Sequence, residues 1–307
     1  MDLQQKIVCS FLWFCLLAGA FGCSDDDASG QTDGGLSGNK KELVLRSFSG
    51  WLPGDTTFFP DSVFFAKGNK SGNYKEVWKA CVERNGRTAL SGTKYYPSDN
   101  STVYLRGFAP EGKLGARMTV GYRIDGRQDI LVTDEQEGRL TDMFWQEQKT
   151  FEFSHLLTQL RFRLRIDAKG MAHGWKLRGI AVDSMQQDVA LSLTDKSLLF
   201  SGESGRIVAA DRSGNRLLPL DTTWVEIPEA VMVQPAVPLY LAVMLEDSLA
   251  SRKQYERLPV VFDEKDGCSV PGTSYLLSVT VRAEGNVALS ASVAEWKKGN
   301  NGVGHIH

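Results

Sequence analysis

The clearest indication of the fold is a period-two pattern in residues 275–294, which read YLLSVTVRAEGNVALSASVA. The apolar positions are Tyr275, Leu277, Val279 and Val281 before the central Gly285-Asn286 pair, and Val287, Leu289, Ala291 and Val293 after it. Successive side chains of a strand point to opposite faces, and a Gly-Asn pair between two such runs is typical of a hairpin turn. The stretch therefore predicts a β-hairpin.

Two other stretches carry the same pattern. In residues 161–166, Arg161, Arg163 and Arg165 alternate with apolar side chains, which predicts a half-buried strand with a basic outer face. Residues 78–82 alternate in the same way and precede Asn85-Gly86, which predicts a second hairpin.

The segment from Phe151 to Ile166 contains a conflict of register. Phe151 and Phe153 lie at odd positions, whereas the apolar residues from Leu160 onward lie at even positions. One face of a flat strand cannot hold both sets. A bulge or bend near His155–Leu157 would reconcile them, and a short helical turn is the alternative.

Length and charge set the class of the chain. It has 307 residues, with 35 Lys and Arg against 37 Asp and Glu, so its net charge is −2. Such a length suits one large or two ordinary domains, and near-neutral charge argues against a nucleic-acid partner. No long amphipathic helix is predicted from residue 41 onward, and turn residues recur, which predicts an all-β sandwich or barrel. The polar stretch Thr133–Lys149 is the best candidate for a connection between domains at 41–148 and 149–307.

The N-terminus predicts an export signal. Residues 7–22 read IVCSFLWFCLLAGAFG, an uncharged run that is short for a membrane-spanning helix and suits a secretory signal. Ala20-Phe21-Gly22-Cys23 resembles the lipobox of bacterial lipoproteins, in which the cysteine is acylated. We therefore expect residues 1–22 to be removed and Cys23 to carry lipid such as palmitate. An ordinary signal cut at another position is the alternative.

A flexible tether is expected to follow the lipid. Residues 23–40 contain no aromatic side chain and cannot bury enough apolar surface to become ordered. Ser24, Asp25, Asp26 and Asp27 directly follow Cys23 and resemble the surface-export signal of Bacteroidetes lipoproteins; a merely solvated linker is the alternative. Two or three acyl chains would anchor the chain to the outer membrane almost irreversibly, because each buried methylene contributes about 0.8 kcal/mol.

Several segments, in order, resemble the fimbrillin family of Bacteroidetes surface lipoproteins. The resemblance covers about residues 42–304, and its most specific landmark is the Phe-x-His-x-Leu-x-x-Leu type of segment at Phe151–Leu160. The other landmarks are Tyr95-Tyr96-Pro97, Val103–Pro110, Asp129–Thr133, Met232–Pro235, Pro271–Tyr275 and Trp296–Gly299. The resemblance implies two transthyretin-like (immunoglobulin-like) β-sandwiches in tandem. It also implies a structural or adhesive component of cell-surface fimbriae, whose partners are other fimbrial subunits and a host protein or glycan receptor.

Fimbrillins of this kind assemble by donor-strand exchange after proteolysis at an Arg. The resemblance therefore singles out Lys41–Phe48, a strand-like segment with Leu43 and Leu45 on one face, and the Arg46-Ser47 bond within it. Removal of Lys41–Arg46 would open a groove, and Asn286–Trp296 or the tail beyond would be the donor. The alternatives are an uncut chain and a surface lipoprotein that never polymerises and binds glycan or host protein.

Signatures of catalysis are not found in the sequence. It contains no G-x-S-x-G, H-E-x-x-H or C-x-x-C motif. We therefore expect that the protein is not an enzyme and that it binds no metal ion and no cofactor. We interpret His155 as a hydrogen-bonded structural residue, and Cys81 and Cys268 as two free thiols. The tryptophans could line a glycan-binding face, although core packing is the commoner use of such residues.

Overall fold

The computed structural model describes residues 40–45, 60–82, 88–146, 149–169, 174–282 and 286–294. Within these ranges the chain forms sixteen strands and two short 3₁₀ turns, and it has no helix long and apolar enough to cross a membrane. The strands are β1 (Ser62–Lys70), β2 (Asn73–Val82), β3 (Thr88–Leu90), β4 (Val103–Ala109), β5 (Thr119–Arg123), β6 (Leu131–Gly138), β7 (Ser154–His155), β8 (Thr158–Ile166), β9 (Lys176–Ser192), β10 (Leu198–Asp211), β11 (Leu218–Pro219), β12 (Val225–Val233), β13 (Leu239–Glu246), β14 (Arg252–Val260), β15 (Ser274–Val281) and β16 (Val287–Ala294).

The strands form three sheets. The first sheet has the order β3-β2-β1-β4-β6-β7 and is antiparallel throughout. The second has the order β10-β9-β13-β14, with β5 and β11 also paired to β9. The third has the order β12-β8-β15-β16, in which β8 and β15 are parallel neighbours.

Both predicted hairpins are present. β15 and β16 pair antiparallel from Ser274↔Ala294 to Val281↔Val287, and β2 pairs with β3. The two turn signals themselves lie partly or wholly outside the described residues. In β8 the apolar residues are buried and the three arginines are half-buried, as the alternation predicts.

Three apolar clusters hold the sheets together. The first fills the space between the second and third sheets and includes Phe162, Val243 and Tyr275. The second covers one face of the first sheet, and the third packs the opposite face against β5 and the distal half of β9. The all-β sandwich class is thereby confirmed, whereas the count of two tandem domains and their boundaries stay predictions.

The register conflict disappears because the two sets of apolar residues belong to different sheets. Phe151 and Phe153 lie in the second cluster, and β7 pairs with β6 of the first sheet. β8 then pairs within the third sheet, and its apolar residues lie in the first cluster. The expected bend is present at Leu157, and no helical turn forms there.

The polar stretch Thr133–Lys149, the predicted connection between domains, packs against the first sheet. Its first part continues β6 to Gly138, and Phe144 is fully buried in the second cluster. Lys149 Nζ donates a 2.6 Å hydrogen bond to Asp142 Oδ2. One buried aromatic residue and this ion pair therefore hold a mostly polar segment against the first sheet.

A glycine in the middle of β4 allows close packing in the second cluster. A Cβ atom at Gly107 would lie 2.7 Å from Phe153 Cζ, 3.0 Å from Thr133 Cγ2 and 3.2 Å from Phe65 Cε1. The backbone nitrogen of Gly107 also donates a 2.8 Å hydrogen bond to Thr133 Oγ1. The aromatic residues can therefore lie directly on the sheet backbone.

Candidate assembly surface

The N-terminal segment, residues 40–45, lies beside Lys94–Tyr96 in an antiparallel arrangement. Glu42 forms an isolated bridge with Tyr95. The nitrogen of Leu43 donates to the carbonyl oxygen of Lys94 at 2.7 Å, and the nitrogen of Tyr96 donates to that of Lys41 at 3.0 Å. The segment is thus added to the edge of the fold as a short extended piece, with few backbone bonds.

Alternating side chains of this segment enter the core. Leu43 and Leu45 are 2% and 5% exposed, whereas Val44 between them is 49% exposed. Both leucines belong to the second cluster, which also contains Val63 and Trp78 of the first sheet. The prediction that Leu43 and Leu45 share one face is confirmed, and that face fills an apolar groove.

Aromatic rings line the same cluster. Phe65 and Phe151 meet edge to face with centroids 4.9 Å apart, and Tyr96 stacks on Phe144 at 6.1 Å. The Tyr96 hydroxyl accepts a 2.7 Å hydrogen bond from the Phe144 backbone nitrogen, and burial raises the pKa of Tyr96 to about 12. Tyr96 is therefore uncharged at neutral pH, and the groove stays apolar.

Tyr96, Phe144 and Phe151 were not predicted as groove residues. Tyr96 and Phe151 occur within the segments that carry the fimbrillin resemblance, but nothing in the sequence indicated that the two rings lie in one cluster. Phe144 is an isolated aromatic residue in a polar stretch, which was the only signal that it is an anchor.

The predicted site residues fall outside the described part of the chain. Cys23, Ser24, Asp25, Asp26 and Asp27 precede it, and Arg46 and Ser47 follow directly after residue 45. Both leucines lie in the groove, and in the sequence the predicted cleavage bond follows Leu45 with only Arg46 between.

β16, the predicted donor, is an edge strand of the third sheet. It pairs with β15, and Val287, Leu289 and Ala291 pack partly buried against the first cluster. Val293 is 67% exposed. This C-terminal strand therefore buries less apolar surface than β15, whose Tyr275, Leu277, Val279 and Val281 are all fully covered.

The other residues interpreted from the sequence are His155, Cys81 and Cys268. The buried Asp129 carboxylate accepts hydrogen bonds from His155 Nδ1 and, at 2.8 Å, from the Ile130 nitrogen; burial raises the pKa of Asp129. His155 is thus hydrogen-bonded, as interpreted from the sequence. Cys81 and Cys268 are free thiols. Among the described residues, no group of His, Cys, Asp and Glu could hold a metal ion.

Two of the tryptophans that could line a glycan-binding face lie in the core instead. Trp78 and Trp175 are buried, 7% and 3% exposed, and Trp224 is half-buried. Trp51 and Trp296 lie outside the described residues. Core packing therefore accounts for Trp78 and Trp175.

Comparison with known proteins identifies the fold. No family model and no curated protein matches the chain. Solved structures do match it. A candidate cell adhesion protein from Bacteroides uniformis is 17% identical, with a TM-score of 0.56 over 84% of this chain and 98% of that one. A fimbrial protein from Bacteroides vulgatus is 11% identical, with a TM-score of 0.54 over 84% of this chain and 100% of that one.

A third solved structure also matches most of the chain. A candidate cell adhesion protein from Parabacteroides distasonis is 10% identical, with a TM-score of 0.52 over 84% of this chain and 97% of that one. The chain shares the fold of fimbrial and cell adhesion proteins from Bacteroides and related bacteria. The resemblance to fimbrillins is thus confirmed at the level of fold.

Proposed function

We propose that this protein is the lipid-anchored precursor of a fimbrial, adhesive subunit at the cell surface, and that it assembles by donor-strand exchange. The observation that carries the proposal is the N-terminal segment, which fills an apolar groove with Leu43 and Leu45; in the sequence the Arg46-Ser47 bond follows it directly. The shared fold with fimbrial and cell adhesion proteins supports it.

The energetics of the segment suit a removable strand. Burial of two leucine side chains contributes about 3–6 kcal/mol, and two backbone hydrogen bonds add about 1 kcal/mol each. Ordering the backbone of six residues costs roughly 1–2 kcal/mol per residue. While the segment is covalently attached to the rest of the chain, its docking does not carry the entropic cost of binding a separate molecule from solution. Once cut at Arg46, it would bind weakly and dissociate.

Loss of the segment leaves an apolar slot and unpaired backbone groups. The slot would be lined by Tyr96 and the aromatic residues around it, and the carbonyl of Lys94 would lose its partner. An extended peptide from another subunit can satisfy both, since strand addition supplies backbone hydrogen bonds and alternating side chains. The donor is residues 286–296 or the tail beyond.

The remaining parts of the chain have roles in this scheme. Acylated Cys23 holds the precursor at the outer membrane, and Ser24, Asp25, Asp26 and Asp27 direct it to the surface. Cleavage at Arg46 would free the subunit from that anchor at the same time as it opens the groove. One cut therefore couples release to assembly, and no catalytic role is assigned to the chain.

An Arg-specific protease and one variant test the proposal. We expect the intact protein to yield an SDS-resistant ladder after treatment, and Arg46→Ala to remain monomeric. Arg282→Ala, which removes an exposed arginine elsewhere, is the matched control and should still form the ladder. A wild-type protein that is cut after Arg46 and stays monomeric would contradict assembly and favour a non-polymerising binding protein.

A further inference from the structure

The outer face of the third sheet carries an ordered basic stripe. Arg161, Arg163 and Arg165 lie on its central strand β8, with the apolar residues of β8 on the opposite face. The register places Arg163 between Glu226 of β12 and Ser278 of β15, and Arg165 beside Thr280. Strand geometry spaces these arginines by about 6.6 Å, because every second residue faces the same side.

Two of these arginines have no carboxylate partner in the described chain. Arg163 Nε donates to Ser278 Oγ at 2.7 Å, and Arg165 Nε donates to Thr280 Oγ1 at 3.3 Å. Each guanidinium thus has a neutral hydroxyl on its Nε atom. Arg161 differs, because its Nη2 atom lies 3.5 Å from Glu226 Oε2.

A tryptophan fixes both guanidinium groups. The centre of the Trp224 ring lies 4.5 Å from Arg163 Cζ and 4.3 Å from Arg165 Cζ. Cation–π contacts of this kind hold a guanidinium in one orientation while leaving its charge in place. The terminal Nη groups of two neighbouring arginines are therefore held on one face, and no carboxylate of the described chain forms an ion pair with either arginine.

We propose that this face, named here the arginine face (Arg163, Arg165, Trp224, Ser278 and Thr280), binds an anionic polysaccharide. Carboxylate or sulfate groups on successive sugars would pair with the Nη ends of Arg163 and Arg165, since guanidinium groups bind such anions through paired hydrogen bonds. Ser290 of β16, which pairs with Ser278, adds an exposed hydroxyl to the same row for the sugar hydroxyls.

The same features disfavour a nucleic acid. Single strands bind through aromatic rings on which bases stack, and the Trp224 ring is already covered by the two guanidinium groups. The chain as a whole carries a net charge of −2, so no long-range positive field supports the stripe. A polymer with spaced anionic groups and many hydroxyls matches the face better. The binding needs one subunit only and does not depend on assembly.

Binding of the intact chain to two probes tests the proposal. Heparin supplies sulfate groups, alginate supplies carboxylates, and neutral dextran is the control polymer. At about 50 mM salt we expect heparin or alginate to bind and dextran not to bind. The probe that binds identifies the anionic group. Arg163→Gln/Arg165→Gln should weaken binding at least about tenfold, because each lost charge-assisted contact is worth about that factor.

Matched variants separate a site from general charge. Lys75→Gln/Lys79→Gln removes two exposed positive charges from β2 and should leave the affinity within about twofold. Arg163→Lys/Arg165→Lys keeps the charge, and we expect it to lose affinity because a point charge cannot make the paired hydrogen bonds. Its thermal unfolding, compared with wild type, checks that the sheet is intact.

Three results would overturn the proposal. The first is that neither anionic polymer binds at low salt. The second is that Lys75→Gln/Lys79→Gln loses as much affinity as Arg163→Gln/Arg165→Gln. Such a result would indicate diffuse electrostatic attraction rather than a site. The third is that a single-stranded oligonucleotide of equal charge binds as tightly as the polysaccharide and with the same dependence on Arg163 and Arg165.

Discussion

Replacing a groove leucine by alanine measures how firmly the N-terminal segment is held. In Leu43→Ala the side chain that is lost is 2% exposed and lies in the second cluster, next to the aromatic residues around Tyr96. Large-to-small substitutions at such sites cost about 2–5 kcal/mol, since apolar contacts are lost and a cavity remains. The segment is at the edge of the fold and can relax, so we expect the lower half of this range, about 2–3 kcal/mol.

The neighbouring position supplies the control. Val44 is 49% exposed, so Val44→Ala should change the free energy of unfolding by less than about 0.5 kcal/mol. Urea unfolding followed by tryptophan fluorescence measures both variants. Leu45→Ala should resemble Leu43→Ala, because its side chain is 5% exposed in the same cluster.

A second readout links this destabilisation to assembly. A segment held less tightly should leave the groove sooner after cleavage, so Leu43→Ala should polymerise faster than wild type under the same protease treatment. If Leu43→Ala and Val44→Ala lose equal stability, the leucine does not fill the groove as described. If Leu43→Ala loses stability but polymerises no faster, departure of the segment does not limit assembly.

Three further changes test the packing, the buried carboxyl and the donor. Gly107→Ala should lower the free energy of unfolding in urea by about 1–3 kcal/mol, because its Cβ atom would overlap Phe153. Gly121→Ala, with no atom within 4 Å of its Cβ, should lower it by less than about 1 kcal/mol. Equal losses in the two variants would contradict the close approach of Phe153 to Gly107. Burial raises the pKa of Asp129, so its contribution to stability is complete below the unfolded value near 3.9 and is lost as pH rises. The unfolding free energy of wild type should therefore fall relative to Asp129→Asn as pH rises above the unfolded value, and a difference that rises with pH would refute the direction. Deletion of residues 286–307 should abolish the ladder while cleavage at the N-terminus persists, and an undiminished ladder would show that the donor lies elsewhere.

Local alternation was sufficient to predict much of the fold. The pattern around residues 275–294 predicted the β15–β16 hairpin, and alternation in residues 161–166 predicted both the strand and its basic face. Leu43 and Leu45 were predicted to share a face because they are two positions apart, with only Val44 between them. In each case one strand and one buried face determine the pattern, so neighbouring residues contain the information.

Features that depend on distant pairing could not be predicted. β9 runs for 17 residues and contributes to the first cluster at one end and to the third at the other, which no local pattern encodes. The odd and even registers around His155 had the same cause, because the chain there leaves one sheet and joins another. Phe144 could not be placed in the groove, since its burial depends on Tyr96, 48 positions away.

The N-terminus of the protein on the cell surface tests the central claim most directly. Polymer and monomer would be purified separately from the surface, and each would be analysed by intact mass and N-terminal sequencing. The account predicts that polymerised chains begin at Ser47 and that monomeric chains begin at acylated Cys23. Polymerised chains that still contain Lys41–Arg46 would contradict it.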